Sequence, residues 1–461
     1  SIMTQFLDFD QDLIKKYDKS GPRYTSYPTA PQFTTSYTAE TLKNCIQRSN
    51  TEMIPSPLSL YIHIPYCDTI CYYCACNKII TKDHSVSNEY LDLLEAEIQM
   101  LAPLFDQDRE LEQLHLGGGT PTFLNDEELM RLMRLVEENF NIAKECEMSI
   151  EIDPRKVSNE TLRLLTNIGF NRISLGVQDF DEKVQLAVNR LQSFDLVQER
   201  LNMARELDIK SINMDLIYGL PFQTVKTFEQ TLEKVIRLKP DRLSIFNYAH
   251  LPERFKPQRR INEVDLPSSA EKLKILKLTM DMLQHAGYVY IGMDHFALAG
   301  DSMVKAQQEG TLQRNFQGYS THGHTDLIGL GVSSIGSIFD SYSQNSSSMD
   351  QYRELVNAGQ LPIVRGLVMT PEDRLRKQII NQLICHFHLD IPALEKQWDI
   401  NFEQYFKAEI EQLDEMVKDG LLTIDANSVQ VALRGRLLIR NICMVFDSYL
   451  KDNVVKFSKV I

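Results

Sequence analysis

Between residues 58 and 248, short apolar segments alternate with longer amphipathic ones, and this alternation restricts the fold more than any other feature of the chain. LSLYIHI (58–64), LEQLHLG (111–117), EMSIEI (147–152), RISLGV (172–177), INMDLIY (212–218) and RLSIFNY (242–248) read as six strands. The stretches 88–101, 126–140, 159–168, 194–207 and 224–238 carry apolar residues at helical spacing. Parallel neighbours need a crossover, and here every strand is followed by its own crossover helix, so the expected class is α/β with a parallel sheet, doubly wound or curled into a partial barrel.

The flanks differ. The first 56 residues hold a short helical pattern and then GPRYTSYPTA (21–30), whose glycine and prolines predict an ordered extended arm. After Pro257 come a long helix at 269–285, a strand at 288–293 and a Gly- and Ser-rich stretch at 327–339. From 370 the pattern is mostly helical with a short hairpin around 421–433, an α-rich and winged-helix-like unit. The expected organisation is an arm (1–56), a catalytic domain (57–369, core 57–250 plus an extension) and a C-terminal domain (370–461). Ser1-Ile2 ahead of Met3 reads as an expression scar.

The chain has 461 residues with 49 basic against 63 acidic, a formal charge of −14, which argues against nucleic-acid or anionic-membrane binding. No apolar run approaches the ~18 residues of a membrane helix. Of eight cysteines, Cys67, Cys71, Cys74 and Cys76 crowd together while Cys45, Cys146, Cys385 and Cys443 are scattered. Without a secretory signal, such a cluster points to iron–sulfur or metal ligation in a reducing compartment, expected to be the cytoplasm.

The conspicuous polar and glycine motifs share one location. CDTICYYCAC follows the first strand and GGGTP (117–121) the second; Glu151-Ile152-Asp153-Pro154, Gly176-Val177-Gln178-Asp179, DLIYGLP (215–221) and Asn247-Tyr248-Ala249-His250 end the next four. Carboxyl ends of parallel strands are where β/α architectures build active sites.

Cys67-x3-Cys71-x2-Cys74 has neither ferredoxin nor zinc-finger spacing. Three thiolates can hold a [4Fe–4S] cluster by three irons and leave the fourth open, so Cys76 is expected not to be a ligand. The spacing resembles the radical S-adenosylmethionine (SAM) superfamily. GPRYTSYPTA, HIPYC (63–67), CACNK (74–78), HLGGGTPT (115–122), SIEIDPR (149–155), GVQDF (176–180), DLIYGLP, FNYAHLP (246–252), MDHFA (293–297), RNFQGY (314–319) and RLLIRNICM (436–444) together resemble the oxygen-independent coproporphyrinogen III oxidase family. The resemblance implies a partial parallel (β/α)6 barrel of radical SAM type, with an N-terminal arm and a mainly α-helical C-terminal domain. It implies that Cys67, Cys71 and Cys74 ligate the cluster and that Tyr61, Tyr73, Gly118 and Glu151 hold SAM on it. A second SAM molecule would meet Gly119, Thr120, Gln178, Arg190, Asp215, Ala249 and Ile335. Two positions depart from the family: Tyr73 stands where Phe is usual, so its hydroxyl needs a partner, and Ala75 where Gly is common, which matters only if the loop needs positive φ there.

The implied reaction turns two propionates of coproporphyrinogen III into vinyl groups through a 5′-deoxyadenosyl radical, giving protoporphyrinogen IX in haem biosynthesis. It needs an electron donor such as flavodoxin or ferredoxin and an unidentified acceptor, and it implies oxygen sensitivity. The chain is expected to act as a monomer. An acidic protein needs local cations for a substrate with four carboxylates, and Arg23, Lys78, Lys256, Arg259, Arg260 and Arg314 are the candidates, Arg23 foremost because of its place in the arm. His63 and His295 are expected to be structural. Two other readings are a haem-carrying relative, whose family lacks the long arm and the C-x-C ending, and an electron-transfer iron–sulfur protein, against which the strand-end motifs argue.

Overall fold

The computed structural model describes residues 6–450, so Ser1-Ile2, read above as a scar, and the end of the C-terminal segment lie outside the described residues. Twelve strands form one sheet: β1 (Leu58–Ile64), β2 (Glu110–Gly118), β3 (Asn141–Ile152), β4 (Arg172–Gln178), β5 (Ser211–Tyr218), β6 (Arg242–Asn247), β7 (Tyr288–Gly292), β8 (His295–Leu298), β9 (Asp326–Leu330), β10 (Ile335–Ile338), β11 (Ser341–Asn345) and β12 (Ile363–Val368). Their order is β12-β11-β10-β9-β1-β2-β3-β4-β5-β6-β8-β7. A doubly wound sheet reverses its strand order at a switch point. Here β1 to β6 add one after another to the same edge, all parallel, which is barrel winding. The end strands β12 and β7 do not pair with each other, so the barrel is partial.

The parallel region is one strand wider than expected. The Gly- and Ser-rich stretch supplies β9, which pairs in parallel with β1 from Leu58↔Asp326 to Ile62↔Leu330, and then β10 folds back on it. Buried Arg109 anchors this junction, donating to Asp326 at 2.5 Å and to the Ser56 carbonyl at 2.8 Å.

The period-two pattern sorts the two faces. Leu60, Ile62, Leu114, Leu116, Ile150, Ile173, Leu175, Met214 and Leu216 point outward and are buried. Each such side chain contributes about 1.5–3 kcal/mol on burial. The covering helices include Val86–Leu101, Asp126–Asn139, Asn159–Asn167, Phe194–Glu206 and Val225–Leu238. Asn125 and Thr224 cap two of them with reciprocal side-chain bonds, so these starts are encoded locally. The inner face is polar instead: His115, Ser149, Ser174, Asn213 and Ser244 surround a cavity of about 210 Å³.

The arm is embedded in the fold. Helix Gln11–Lys16 precedes it, and helix Ala39–Asn50, which the sequence reading missed, follows. Tyr24 Oη donates to Asp447 at 2.8 Å, Tyr342 Oη to the Tyr27 carbonyl at 3.0 Å, and Asn441 to the Tyr17 carbonyl at 2.8 Å. Arm, sheet and C-terminal helices consequently share one continuous apolar core. The expected hairpin is present as Leu422–Ile424 with Ser428–Val431, widened by a third strand, His388–Asp390. Among the described residues no helix is long and apolar enough to cross a membrane.

Candidate active site

Beyond β1 the chain bridges Tyr66–Cys67 to Ile79–Ile80, which closes the base of the cysteine loop. The loop is pinned from outside as well: Tyr72 N–H donates to the Val188 carbonyl at 2.9 Å, and Asn189 Nδ2 to the Ile70 carbonyl at 2.8 Å. All four cysteines are free; Cys67 and Cys74 are buried, Cys71 half-buried and Cys76 exposed. They line a cavity of about 610 Å³ at the carboxyl ends of the parallel strands.

The second strand end is locked onto this loop by backbone contact. Gly119 N–H donates to the Ile64 carbonyl at 2.6 Å and Thr120 N–H to the Tyr66 carbonyl at 2.8 Å. A Cβ on Gly119 would sit 2.6 Å from the Tyr66 oxygen. Gly118 has φ +112, which side-chain-bearing residues avoid. The Thr120 hydroxyl lies 3.2 Å from Cys67 Sγ.

Two carboxylates on β3 and β5, the strands either side of β4, have opposite electrostatics. Burial works against charge on Glu151, but His115 and the Gly118 N–H, donating at 2.8 Å, outweigh it and hold the carboxyl below its ordinary range. Burial dominates at Asp215 and raises it to about 6, although Asn213 donates to it at 2.9 Å. Gln178, between them, takes φ 69, a strained conformation for a residue with a side chain. Lys78 faces the thiols, whose field keeps its ammonium charged against the opposing effect of burial.

Arg190, buried, donates to the Gly176 carbonyl, and its Nη1 lies 3.3 Å from Tyr73 Oη, 3.4 Å from Asp153 Oδ2 and 3.8 Å from Cys71 Sγ. The extra hydroxyl of Tyr73 has thus found a partner. Ala75 has no positive φ, so the loop does not need the glycine common in the family.

Of the residues singled out in the sequence, Cys67, Cys71, Cys74, Tyr73, Gly118, Gly119, Thr120, Glu151, Gln178, Arg190 and Asp215 line this one cavity. Tyr61, Ala249, Ile335 and Arg23 do not. Tyr61 hydrogen-bonds His63 at 2.9 Å and stacks on His115. Ala249 follows β6, and Ile335 packs with Phe33 and Tyr342. Arg23 lies over the Phe246 ring at 5.0 Å and pairs with Asp294. Among the candidate cations Lys78 and Lys256 line the cavity; Arg259 and Arg260 are exposed on the neighbouring segment, and Arg314 is buried over Tyr319. His63 and His295 are held by Tyr61 and Ser244, and burial lowers both, His63 to about 4. The sequence reading missed Arg254, Asp153 and Arg155 as cavity residues, although the last two lie inside a quoted motif.

The donor set suits a cluster better than a single ion. Among the described residues no three His, Cys, Asp or Glu side chains converge tightly enough to hold one metal ion. The three thiols instead sit round one cavity, as separate corners of a cubane require, and Asp153, the carboxylate on the Cys71 side, is engaged by Arg155 and Arg190.

A family profile described as the radical SAM superfamily matches residues 61–235, and one described as the HemN C-terminal domain matches 369–438. The oxygen-independent coproporphyrinogen III oxidase of Pseudomonas aeruginosa is 51% identical over 462 residues, covering 100% of both chains. The enzyme of the same name from Escherichia coli is 49% identical over 99% of both. The solved structure of coproporphyrinogen III oxidase (HemN) from Escherichia coli, described as a radical SAM enzyme, matches with TM-score 0.92 at 48% identity, over 97% of this chain and 100% of that one. By full-length identity, fold and strand-end chemistry, the chain belongs to the oxygen-independent coproporphyrinogen III oxidase family of the radical SAM superfamily.

Proposed function

We propose that this chain converts two propionate side chains of coproporphyrinogen III to vinyl groups without oxygen, giving protoporphyrinogen IX. The observation that carries the reading is the convergence of Cys67, Cys71, Cys74, Gly118, Gly119, Glu151 and Asp215 on one cavity, in a chain identical at about half its positions to enzymes of that name. Cys67, Cys71 and Cys74 would hold a [4Fe–4S] cluster, and Tyr61, Tyr73, Gly118 and Glu151 a SAM molecule on its open iron. When bound, these groups supply a one-electron reduction of the sulfonium and so a 5′-deoxyadenosyl radical for hydrogen abstraction at a propionate β-carbon.

The chain's own task is placement and charge. Gly118 and Gly119 let backbone approach a ligand closely, and the ionised Glu151 accepts from an ammonium or a ribose hydroxyl. Asp215 is part-protonated near pH 6, and so can donate as well as accept at a second SAM molecule, where Gln178 and Arg190 lie alongside. Lys78, Arg254 and Lys256 give the cavity positive charge for propionates in a chain of charge −14. No side-chain nucleophile is needed. We assign the arm, residues 57–369 and residues 370–461 as working units of a cytoplasmic monomer supplied with electrons by a flavodoxin- or ferredoxin-like donor.

The test is an anaerobic assay with coproporphyrinogen III, SAM and a reductant, comparing wild type with Cys71→Ser. Protoporphyrinogen from the wild type alone is expected. None from the wild type, or undiminished product from the variant, refutes the reading.

A further inference from the structure

We propose that Arg155 is a positioning residue that donates to the sulfur of Cys71 and thereby raises the reduction potential of the cluster held there. The inference rests on the reading of Cys71 as a ligand; nothing in the resemblance assigns a role to Arg155 or to Asp153.

The geometry begins in the backbone. As β3 ends, Asp153 caps the single turn Pro154–Lys156, its Oδ1 accepting the Arg155 N–H at 3.0 Å. The turn folds the Arg155 side chain back over the same carboxylate: Nε reaches Oδ1 at 3.1 Å and Nη2 reaches Oδ2 at 2.8 Å. A two-point fork of this kind fixes the guanidinium plane. Asp153 is also shared with Arg190, at 3.4 Å. Both guanidinium groups then present one further N–H to the same atom, Arg155 Nη2 at 3.7 Å and Arg190 Nη1 at 3.8 Å from Cys71 Sγ.

Two cations and one carboxylate leave a net positive charge beside this sulfur. The side chains of Arg155 and Asp153 are only 15% and 9% exposed, so solvent screens that charge little. Hydrogen bonds to a ligating sulfur and positive charge near it favour the state carrying the extra electron. The paired-guanidinium arrangement is confined to the Cys71 corner, while Lys78 faces the other thiols. Cys67 meets the neutral Thr120 hydroxyl at 3.2 Å, and Cys74 lies 3.8 Å from the Cys76 carbonyl. A purely structural role for Arg155, stapling the end of β3, would not touch the potential.

The experiment uses the full chain, reconstituted anaerobically without SAM or porphyrin, and reads iron and sulfide content together with an EPR-monitored redox titration. Arg155→Met and Arg155→Lys are compared with wild type, and Arg163→Met, on an exposed helix face, serves as a charge-loss control. At fixed ambient potential the reduced-to-oxidised ratio is expected to fall roughly tenfold in Arg155→Met, about 59 mV for one electron. Arg155→Lys falls by less, because lysine keeps the charge and loses the fork. An unchanged ratio in Arg155→Met at full cluster content overturns the proposal. Should that variant hold less iron, Arg155→Lys decides, and an unchanged ratio there overturns it equally. Full cluster content in Cys71→Ser would instead show that the ligand assignment had failed.

Discussion

Gly119→Ala asks whether the β2 end and the cysteine loop work as one unit. The added Cβ would lie 2.6 Å from the Tyr66 oxygen and 2.8 Å from the Pro65 carbonyl, where ordinary contact begins at 3.4 Å. Both obstacles are backbone, so relief needs strand end and loop to part by several tenths of an ångström. Overpacking of this kind costs about 1–3 kcal/mol. The same movement stretches the Gly119 N–H bond to Ile64 and the Thr120 N–H bond to Tyr66, each worth about 1 kcal/mol. It also withdraws Thr120 from Cys67. A displacement approaching 1 Å at a reacting centre can cost about 100-fold in rate. The assay compares iron content, SAM affinity and anaerobic turnover, with far-UV circular dichroism as the check on folding. At least 100-fold loss of turnover with a native spectrum is expected. The control is Gly300→Ala, where a Cβ meets nothing within 4 Å, and no loss is expected. Turnover and SAM affinity within threefold of wild type in Gly119→Ala would refute the idea that the loop's position is set by this contact.

Arg109→Met leaves Asp326 buried without its cation and should lower stability by about 3–5 kcal/mol, read as a shifted urea midpoint; an unshifted midpoint counts against the anchoring of β9. Tyr24→Phe removes the donor to buried Asp447 and should cost about 1–3 kcal/mol and quicken proteolytic cleavage in the arm; an unchanged digestion pattern would show that the arm is held elsewhere. Asp215 is raised to about 6, so between about pH 4 and 6 the folded chain holds more protons there than the unfolded one. Its contribution to stability is therefore complete at low pH and lost as pH rises through 6. Asp215→Asn should gain on wild type by roughly 3 kcal/mol across that window, and parallel stability curves would contradict the assignment.

The six core strands were legible because two local signals agree in them: an outward apolar face at period two, and a crossover helix after each strand. The first is recovered residue for residue, Leu58–Ile64. β9 was not legible, because nothing local sets its partner; it pairs with β1 across more than 250 residues and follows no crossover helix. Helix Ala39–Asn50 was hidden by the prolines before it, although Thr38 and Thr41 form a reciprocal cap that a closer reading could have used. At the site, cysteine spacing and strand-end motifs located the face because topology fixes it, and the family resemblance supplied the individual residues, eleven of which line the cavity. Arg155 escaped because its bond to Cys71 joins the end of the third strand to the loop after the first, a pairing sequence spacing does not encode. Arg23 sat in the right arm, but its pairing with Asp294 is equally non-local.

The most direct measurement is isotopic. Coproporphyrinogen III carrying deuterium at the propionate β-carbons, incubated anaerobically with the reconstituted chain, SAM and a reductant, should yield 5′-deoxyadenosine with one added deuterium and protoporphyrinogen IX, both detected by mass spectrometry. Substrate labelled only at the α-carbons should give unlabelled 5′-deoxyadenosine. Product without deuterium transfer from the β-position, or no 5′-deoxyadenosine at all, would contradict the proposed radical chemistry.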